Sequence, residues 1–261
     1  MSIITLLTDF GLYDHYVASV KGVILQIAPK VTIVDITHEV SPQNVVQAAF
    51  ILRQAFECFP ADTIHVAVID PGVGTARPVI AAKYAGQFIL APDNGLVSLV
   101  HRDFALEELR VVQNASLFRK GVSATFHGRD IFAPVAAHVA RAVRLAEVGP
   151  ATDRLALLDL PAPLVSPDGR IRGQILYIDH FGNALTNISA ADLERAARRR
   201  PHLSATAAGH PLGPLRQTYA ESPPGAALAL ISGANMLEIA VNQGNASREL
   251  GLTAGQEVVV E

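Results

Sequence analysis

The sequence holds a single cysteine, Cys58, among 261 residues. That excludes an intrachain disulfide and a cysteine-ligated zinc site. Cys58 lies in an apolar stretch, Phe50 to Phe59, expected to be helical, where a lone cysteine is more often a core residue than a nucleophile. Charge is also scarce, at 17% of residues, with a net charge of −3. Bulk nucleic-acid binding needs clustered cations. The one basic run, Arg198 to Arg200, follows Glu194 and Arg195 on an expected helix and reads as its solvated end. No apolar run approaches the ~20 residues of a membrane span. The first nine residues lack a basic leader region and read as a strand, not a signal peptide. The expected location is the cytoplasm, with no nucleic-acid or membrane partner.

Apolar residues, by contrast, make up half the chain, enough for a sizeable core in one large domain or in a large and a small one. Strand-like runs occur at Ile3 to Thr8, Val31 to Ile36, Thr63 to Ile69 and Leu109 to Val112. Val79 to Tyr84 and Gln87 to Ala91 read as strands paired about Ala85-Gly86. Helical spacing occupies Tyr16 to Ile27, Asn44 to Phe59 and Asp130 to Ala146, with Asn44 or Ser41 as a cap of the second. Strands alternating with helices indicate an α/β domain with a largely parallel sheet. After Gly149-Pro150 the texture changes. A proline-rich stretch, 159 to 170, reads as a linker. Strand-like segments follow at Arg172 to Ile178, Ala226 to Ile231, Met236 to Asn242 and Glu257 to Val260, with one helix at Ala190 to Arg200. The expected organisation is an α/β domain over 1–158 and a smaller, mainly-β domain over 171–261.

Two segments carry most of the chemistry, Asp70 to Arg77 (Asp-Pro-Gly-Val-Gly-Thr-Ala-Arg) and Thr125 to Asp130 (Thr-Phe-His-Gly-Arg-Asp). Each sits where an apolar run gives way to a turn. They supply a carboxylate (Asp70), a guanidinium (Arg77) and an imidazole (His127), a trio suited to holding and polarising water. The glycines of 71–74 let the backbone approach a ligand closely, but no phosphate loop or dinucleotide fingerprint is present. Asp70 and Arg77 are also compatible with a structural ion pair, and Asp130 with a helix cap. Asp9 follows its strand as Asp70 follows its own, so both project at one sheet edge, where ligands gather in open α/β sheets. Asp14 lies one short turn further on. In the β region, Tyr177 to Asn187 reads as a hairpin with Asp179, Phe181 and Asn183 at its tip. Phe181 is suited to stacking on a base and Asn183 to reading its edge. Asn183 is equally suited to a left-handed turn position.

The motifs Leu7 to Gly11 (Leu-Thr-Asp-Phe-Gly), Asp70 to Arg77, Ala91 to Gly95 (Ala-Pro-Asp-Asn-Gly), Thr125 to Pro134, Ile178 to Asn187 and Leu237 to Asn242 occur in this order. With them the chain resembles the S-adenosylmethionine (SAM) hydroxide adenosyltransferases, or SAM hydrolases, relatives of the fluorinase and chlorinase enzymes. The resemblance spans essentially the whole chain. It implies a homotrimer whose sites lie where the N-terminal domain of one subunit meets the C-terminal domain of the next. It implies conversion of SAM and water to adenosine and L-methionine, with SAM as substrate and no cofactor or metal. Asp70, Arg77 and His127 fall on the family's water-handling positions, and Asp9 on the carboxylate that binds the ribose hydroxyls. Asp14 and Asp179 fall near the methionine ammonium, and Phe181, Asn183 and Tyr219 around the adenine. Ser232, Glu238 and Val241 lie on strands that finish the pocket. Leu185 stands where the halogenases carry an aromatic residue, and the fluorinase Ser-Arg pair has no counterpart in 232–236.

Three other functions could draw on the same residues. A halogenase would need uncharged groups around a bare halide, which Asp70 would repel. A noncatalytic adenosine or SAM sensor would use the binding residues but have no need of Asp70, Arg77 and His127. A metal hydrolase built on Asp9, Asp70 and His127 lacks any His-x-x-x-His or comparable cluster.

Overall fold

The computed structural model describes residues 2–261, which divide into two compact units, 2–158 and 159–261. The first unit begins with β1 (Ile3–Thr8), α1 (Tyr16–Ile27), β2 (Thr32–Thr37), α2 (Val45–Phe56) and β3 (Ile64–Val68). The hairpin of β4 (Val79–Tyr84) and β5 (Gln87–Pro92) follows, then α3 (Ser98–Asp103) and β6 (Leu106–Val111). The sheet order is β2-β1-β3-β5-β4-β6. Strands β2, β1, β3 and β5 run parallel, while β4 pairs antiparallel with both β5 and β6. The sheet is therefore mixed and mostly parallel. Antiparallel pairing enters where the two-residue turn Ala85-Gly86, with φ of 46° and 73°, lets the chain double back.

The parallel strands are nearly continuous apolar runs because both of their faces are covered. Ile4 and Leu6 of β1 pack with Ile24 of α1, whereas Leu7 packs with Leu52 and Phe56 of α2. This is the period-two alternation of a strand serving two cores. Asn44 caps α2, its side chain accepting from Gln47 N at 2.9 Å. That helix stops at Phe56, so Cys58 lies beyond its end and is exposed, not in the core.

The single long helix expected over 130–146 is broken. A π-helical turn, Gly128–Phe132, precedes α4 (Ala133–Ala140), and α5 (Leu145–Val148) follows separately. Helix α4 ends when Ala142 adopts φ = 72°, with Val143 N bonded to His138 O and Ala142 N to Val139 O. This is a Schellman-type cap with alanine where glycine is usual. Alanine favours helix, so nothing local announces the stop.

The named strands of the second unit all pair antiparallel, and an isolated parallel bridge links Arg216 to Leu230. Strands β7 (Leu164–Val165), β8 (Ile171–Ile178) and β9 (Ala184–Ser189) lead to α6 (Ala190–Ala197). Then come β10 (Ser204–Ala207), β11 (His210–Pro214), β12 (Ala227–Ile231), β13 (Met236–Val241), α7 (Ala246–Glu249) and β14 (Glu257–Val260). The order is β11-β10-β14-β8-β9-β13-β12, and Arg216 N bonds to Ala229 O, joining the chain after β11 to β12 and nearly closing a barrel. The stretch 159–170 belongs to this unit: β7 pairs with β8. Arg199 and Arg200 are not simply solvated, since they donate to Pro167 O and to Asp168. Strands β10 and β11 were not expected. They are short and carry alanine, glycine and proline, which have low strand propensity.

Candidate active site

The register Thr8↔Val68 brings the carboxyl ends of β1 and β3 side by side, so Asp9 and Asp70 leave the sheet at the same edge. Asp70 is held at the strand end partly by Asn94, whose side-chain nitrogen donates to Ile69 O at 2.9 Å. The loop 71–76 then folds back. Thr75 N and Oγ both donate to Gly72 O, and Gly74 stands at φ = 77°. A Cβ on Gly74 would lie 2.7 Å from Ala124 O, so this glycine permits the loop's approach to the segment before His127.

That fold-back delivers Arg77 to Asp70 as a two-pronged pair. Arg77 Nε donates to Asp70 Oδ1 at 2.8 Å, and Nη2 donates to Oδ2. Nη2 also lies 3.0 Å from His127 Nδ1. The three residues expected to act together are therefore in one hydrogen-bonded chain. Both side chains of the ion pair are largely shielded, 6% exposed for Asp70 and 11% for Arg77. Charge-assisted bonds of this kind gain strength when water is excluded. The His127 pKa is lowered, first by burial and then by the Arg77 charge, with Asp70 and Asp130 opposing. The imidazole is accordingly neutral near pH 7.

His127 sits at the entrance of the π-helical turn, a distortion frequent at functional sites. Asp130 is not a helix cap. It is fully buried and accepts from Arg129 Nε (2.7 Å), Arg129 Nη2 (2.8 Å) and Ser123 N (2.9 Å), bonds that hold its carboxyl down at about 2 against the effect of burial. Arg129 in turn lies over the Phe126 ring, 4.8 Å from its centroid. Phe126 meets Phe10 and Tyr16 edge-on, and Gly128 lets the turn pass close to the Phe10 ring, which a Cβ there would approach to 3.0 Å. A cleft of about 530 Å³ opens here, lined by Asp9, Phe10, Tyr16, Thr125, Phe126 and Arg129 among others. Asp9 accepts from Gln43 N through Oδ2 (2.8 Å). Asp14 is exposed on the loop leading into α1.

In the second unit, the β8–β9 hairpin tip is closed by Asp179. Its Oδ1 accepts from Asn183 N (2.9 Å), and its Oδ2 lies 3.4 Å from the Asn183 amide nitrogen. The left-handed residue is Gly182 (φ = 88°), not Asn183. A side chain at 182 would collide with Asn245. Asn183 is thus buried with its amide turned to Asp179, while Phe181 is 71% exposed. Tyr219 donates to Glu238 Oε1 at 2.6 Å. Burial, with the Asp179 charge adding to it, raises the Glu238 carboxyl, and the Tyr219 bond opposes. Burial chiefly, and then Glu238, raises the Tyr219 hydroxyl. Ser232 is occupied in its own turn, donating to Met236 O at 3.1 Å, and Val241 is packed in the unit's core.

The sequence reading singled out no role for Arg129, Phe126 or Gln43, and the helix cap it offered as one reading of Asp130 does not hold. The run Gly-Arg-Asp held a signal for two of them, since adjacent opposite charges beside an apolar helix are candidates for a buried pair. Gln43 acts through its backbone, which its identity does not announce.

Comparison with known proteins bears on this arrangement. Family models described as the N-terminal and C-terminal domains of SAM hydroxide adenosyltransferase match residues 4–149 and 173–259. The chain belongs to the SAM hydroxide adenosyltransferase family. A protein of Salinispora arenicola named (R)-S-adenosyl-L-methionine hydrolase is 40% identical, over 98% of this chain and 97% of its own length. A Nocardia brasiliensis protein named fluorinase is 30% identical, over 99% and 96%. A crystal structure of an uncharacterized conserved protein from Thermotoga maritima superposes with a TM-score of 0.92 at 37% identity, covering 98% of this chain and 99% of that one. Among the described residues no helix is long and apolar enough to cross a membrane, and no group of three or more His, Cys, Asp or Glu is arranged to hold a metal ion.

Proposed function

We propose that this protein hydrolyses SAM to adenosine and L-methionine, with water attacking ribose C5′ in line with the sulfonium. The observation that carries this reading is the Asp70–Arg77–His127 chain at the sheet edge that also presents Asp9, with the Asp70 and Arg77 side chains largely shielded from solvent. Arg77 has only donors, so His127 Nδ1 accepts from it and the ring proton sits on Nε2. That leaves His127 to donate towards an oxygen and Asp70 to accept the proton of water. As the C5′–O bond forms, the C5′–S bond breaks and its electron pair returns to sulfur. Methionine leaves as a neutral thioether, and no general acid is required. The attacking oxygen and the sulfonium lose their charges together, a step that a dry site favours. Holding water and SAM in line contributes on the order of 7–11 kcal/mol.

Asp9 is suited to the two ribose hydroxyls: its Oδ2 accepts from Gln43 N, and the side chain lines the cleft. In this proposal Asp14 and Asp179 take the methionine ammonium. Phe181, Asn183 and Tyr219 surround the adenine, with Glu238, Ser232 and Val241 at the pocket's margin. These residues are divided between the two units, and the proposed assembly, which rests on the family resemblance, is a homotrimer with each site drawn from two copies. Light scattering is expected to report about three times 27.7 kDa, and a fully active monomer would refute the shared site.

The fluorinase relatives make a halogenase the second reading. A halide 4 Å from a carboxylate is repelled by about 4 kcal/mol at an effective dielectric near 20; the Arg77 cation offsets part of this, but a halide has no proton to give Asp70 and so gains nothing from that carboxylate. Water does not meet this barrier, because it becomes hydroxide only as Asp70 takes its proton. The deciding experiment is chromatography of the products after incubating pure protein with SAM, with and without chloride and with and without EDTA. Adenosine and methionine in every arm is the expected result. 5′-Chloro-5′-deoxyadenosine as the main product would establish the halogenase, and loss on chelation restored by a divalent ion would end the metal-free mechanism.

A further inference from the structure

Behind Asp9 lies a buried polar chain that neither the triad nor the cleft uses. His38 stands just beyond β2 and is 3% exposed. Its Nδ1 is 2.8 Å from Thr8 Oγ1, and its Nε2 is 3.1 Å from Asp35 Oδ1, off the line of a straight hydrogen bond. Asp35 is held from its other oxygen by Lys21 at 2.6 Å. With a carboxylate facing Nε2, the ring proton belongs there, so Nδ1 accepts from the Thr8 hydroxyl. The Thr8 oxygen also accepts from Phe10 N at 3.3 Å. The backbone of His38 makes a second tie, its carbonyl accepting from Gly11 N at 2.8 Å. His38 therefore ties the β1–α1 loop on both sides of Asp9, at Thr8 by its side chain and at Gly11 by its main chain. The loop that starts at His38 then reaches Gln43, held in a left-handed conformation (φ = 64°), whose N–H caps Asp9 Oδ2 at 2.8 Å.

We infer that His38 is a positioning residue for nucleoside recognition. It locks the β1–α1 loop to the β2–α2 loop so that one oxygen of Asp9 is occupied by Gln43 and the other is presented to the ribose diol. Burying an imidazole costs free energy that its contacts must offset, and here the Nδ1 hydrogen bond leads to the segment carrying Asp9 and the Nε2 contact with Asp35 to the adjacent strand β2. The inference rests on the reading of Asp9 as the diol acceptor.

The test is a double-mutant cycle between H38A and D9A, read by calorimetric adenosine titration, with steady-state kinetics on SAM for H38A alone. D9A is expected to weaken adenosine about tenfold or more. H38A should weaken adenosine and raise KM for SAM by at least about fivefold, with kcat within about twofold because the water-handling chain is elsewhere. H38N keeps an acceptor near the Nδ1 position and should recover most of the affinity. In the D9A background, H38A should add less than about twofold. T8V, close to isosteric, deletes the hydroxyl between Phe10 N and the ring and carries the same expectations if H38A does not fold. Additive losses in the cycle, or a fall in kcat with KM unchanged, would overturn the inference. Weakened binding in D9A with wild-type binding in H38A and T8V would overturn it alone. Undiminished adenosine binding in D9A would overturn the Asp9 reading itself and this inference with it.

Discussion

Arg77 Nη2 lies 3.0 Å from His127 Nδ1, and this contact assigns the histidine its tautomer. A guanidinium cannot accept, so a protonated Nδ1 would put donor against donor beside a positive charge. The pKa of His127 is lowered by burial first and by Arg77 second. Protonation at Nδ1 would break the chain, so kcat is expected to fall on the acid side with an apparent pKa below 6.5. R77A removes the cation and the donor and should move that limb upward while lowering kcat. A pH–rate profile of both proteins checks this, and an unmoved limb in R77A would mean that His127 is not the titrating group.

Asp70→Asn preserves shape and removes the charge. General-base and orienting groups supply on the order of 10²–10⁴-fold, and a loss of that size in single-turnover rate is expected, with adenosine affinity little changed. Turnover at the wild-type rate would make Asp70 purely structural. R77A and H127A should show the same split between rate and nucleoside affinity.

Glu238 is 5% exposed, and burial raises its carboxyl above the ordinary range. A carboxyl with a raised folded-state pKa contributes stability below its unfolded pKa near 4.5 and loses it as pH climbs through the folded value. Glu238→Gln keeps an acceptor for Tyr219 and cannot ionise. Its Tm relative to wild type should therefore be higher at pH 8 than at pH 4. An equal difference at both would show that Glu238 does not titrate with folding.

His65 is buried across the centre of the first sheet, with Thr5 Oγ1 on Nδ1 and Gln87 Oε1 on Nε2, each at 2.8 Å. Burial lowers its pKa to about 4, with Gln87 opposing. The unfolded chain binds this proton first, so the stabilisation is present above about 6.5 and is lost as pH falls towards 4. The full effect is on the order of 3 kcal/mol. Urea titrations at pH 7 and pH 4.5 should show the loss. His65→Leu, whatever its stability at pH 7, should flatten that part of the pH dependence.

What the sequence determined by itself is what depends on short-range chemistry. Strand β1 and helix α1 were legible to the residue because apolar periodicity and β-branching operate within a few positions. The α/β character of the first unit and strands β8, β12, β13 and β14 of the second followed for the same reason, whereas β10 and β11, with weak strand formers, did not. Asp9 and Asp70 were placed at one sheet edge because each directly follows a buried strand, and the ordered motifs pointed to the family. Only the tertiary structure decided the rest. It broke the expected long helix at Ala142, where no residue type signals a left-handed cap. It buried Asp130 under Arg129 instead of leaving it as a cap, and turned Asn183 inward on Asp179. It joined Arg77 to His127 across fifty residues, and tied Thr8 to His38 and Gln43 to Asp9. Such pairings depend on which strands lie adjacent and in what register, and on backbone groups whose positions side-chain identity does not encode.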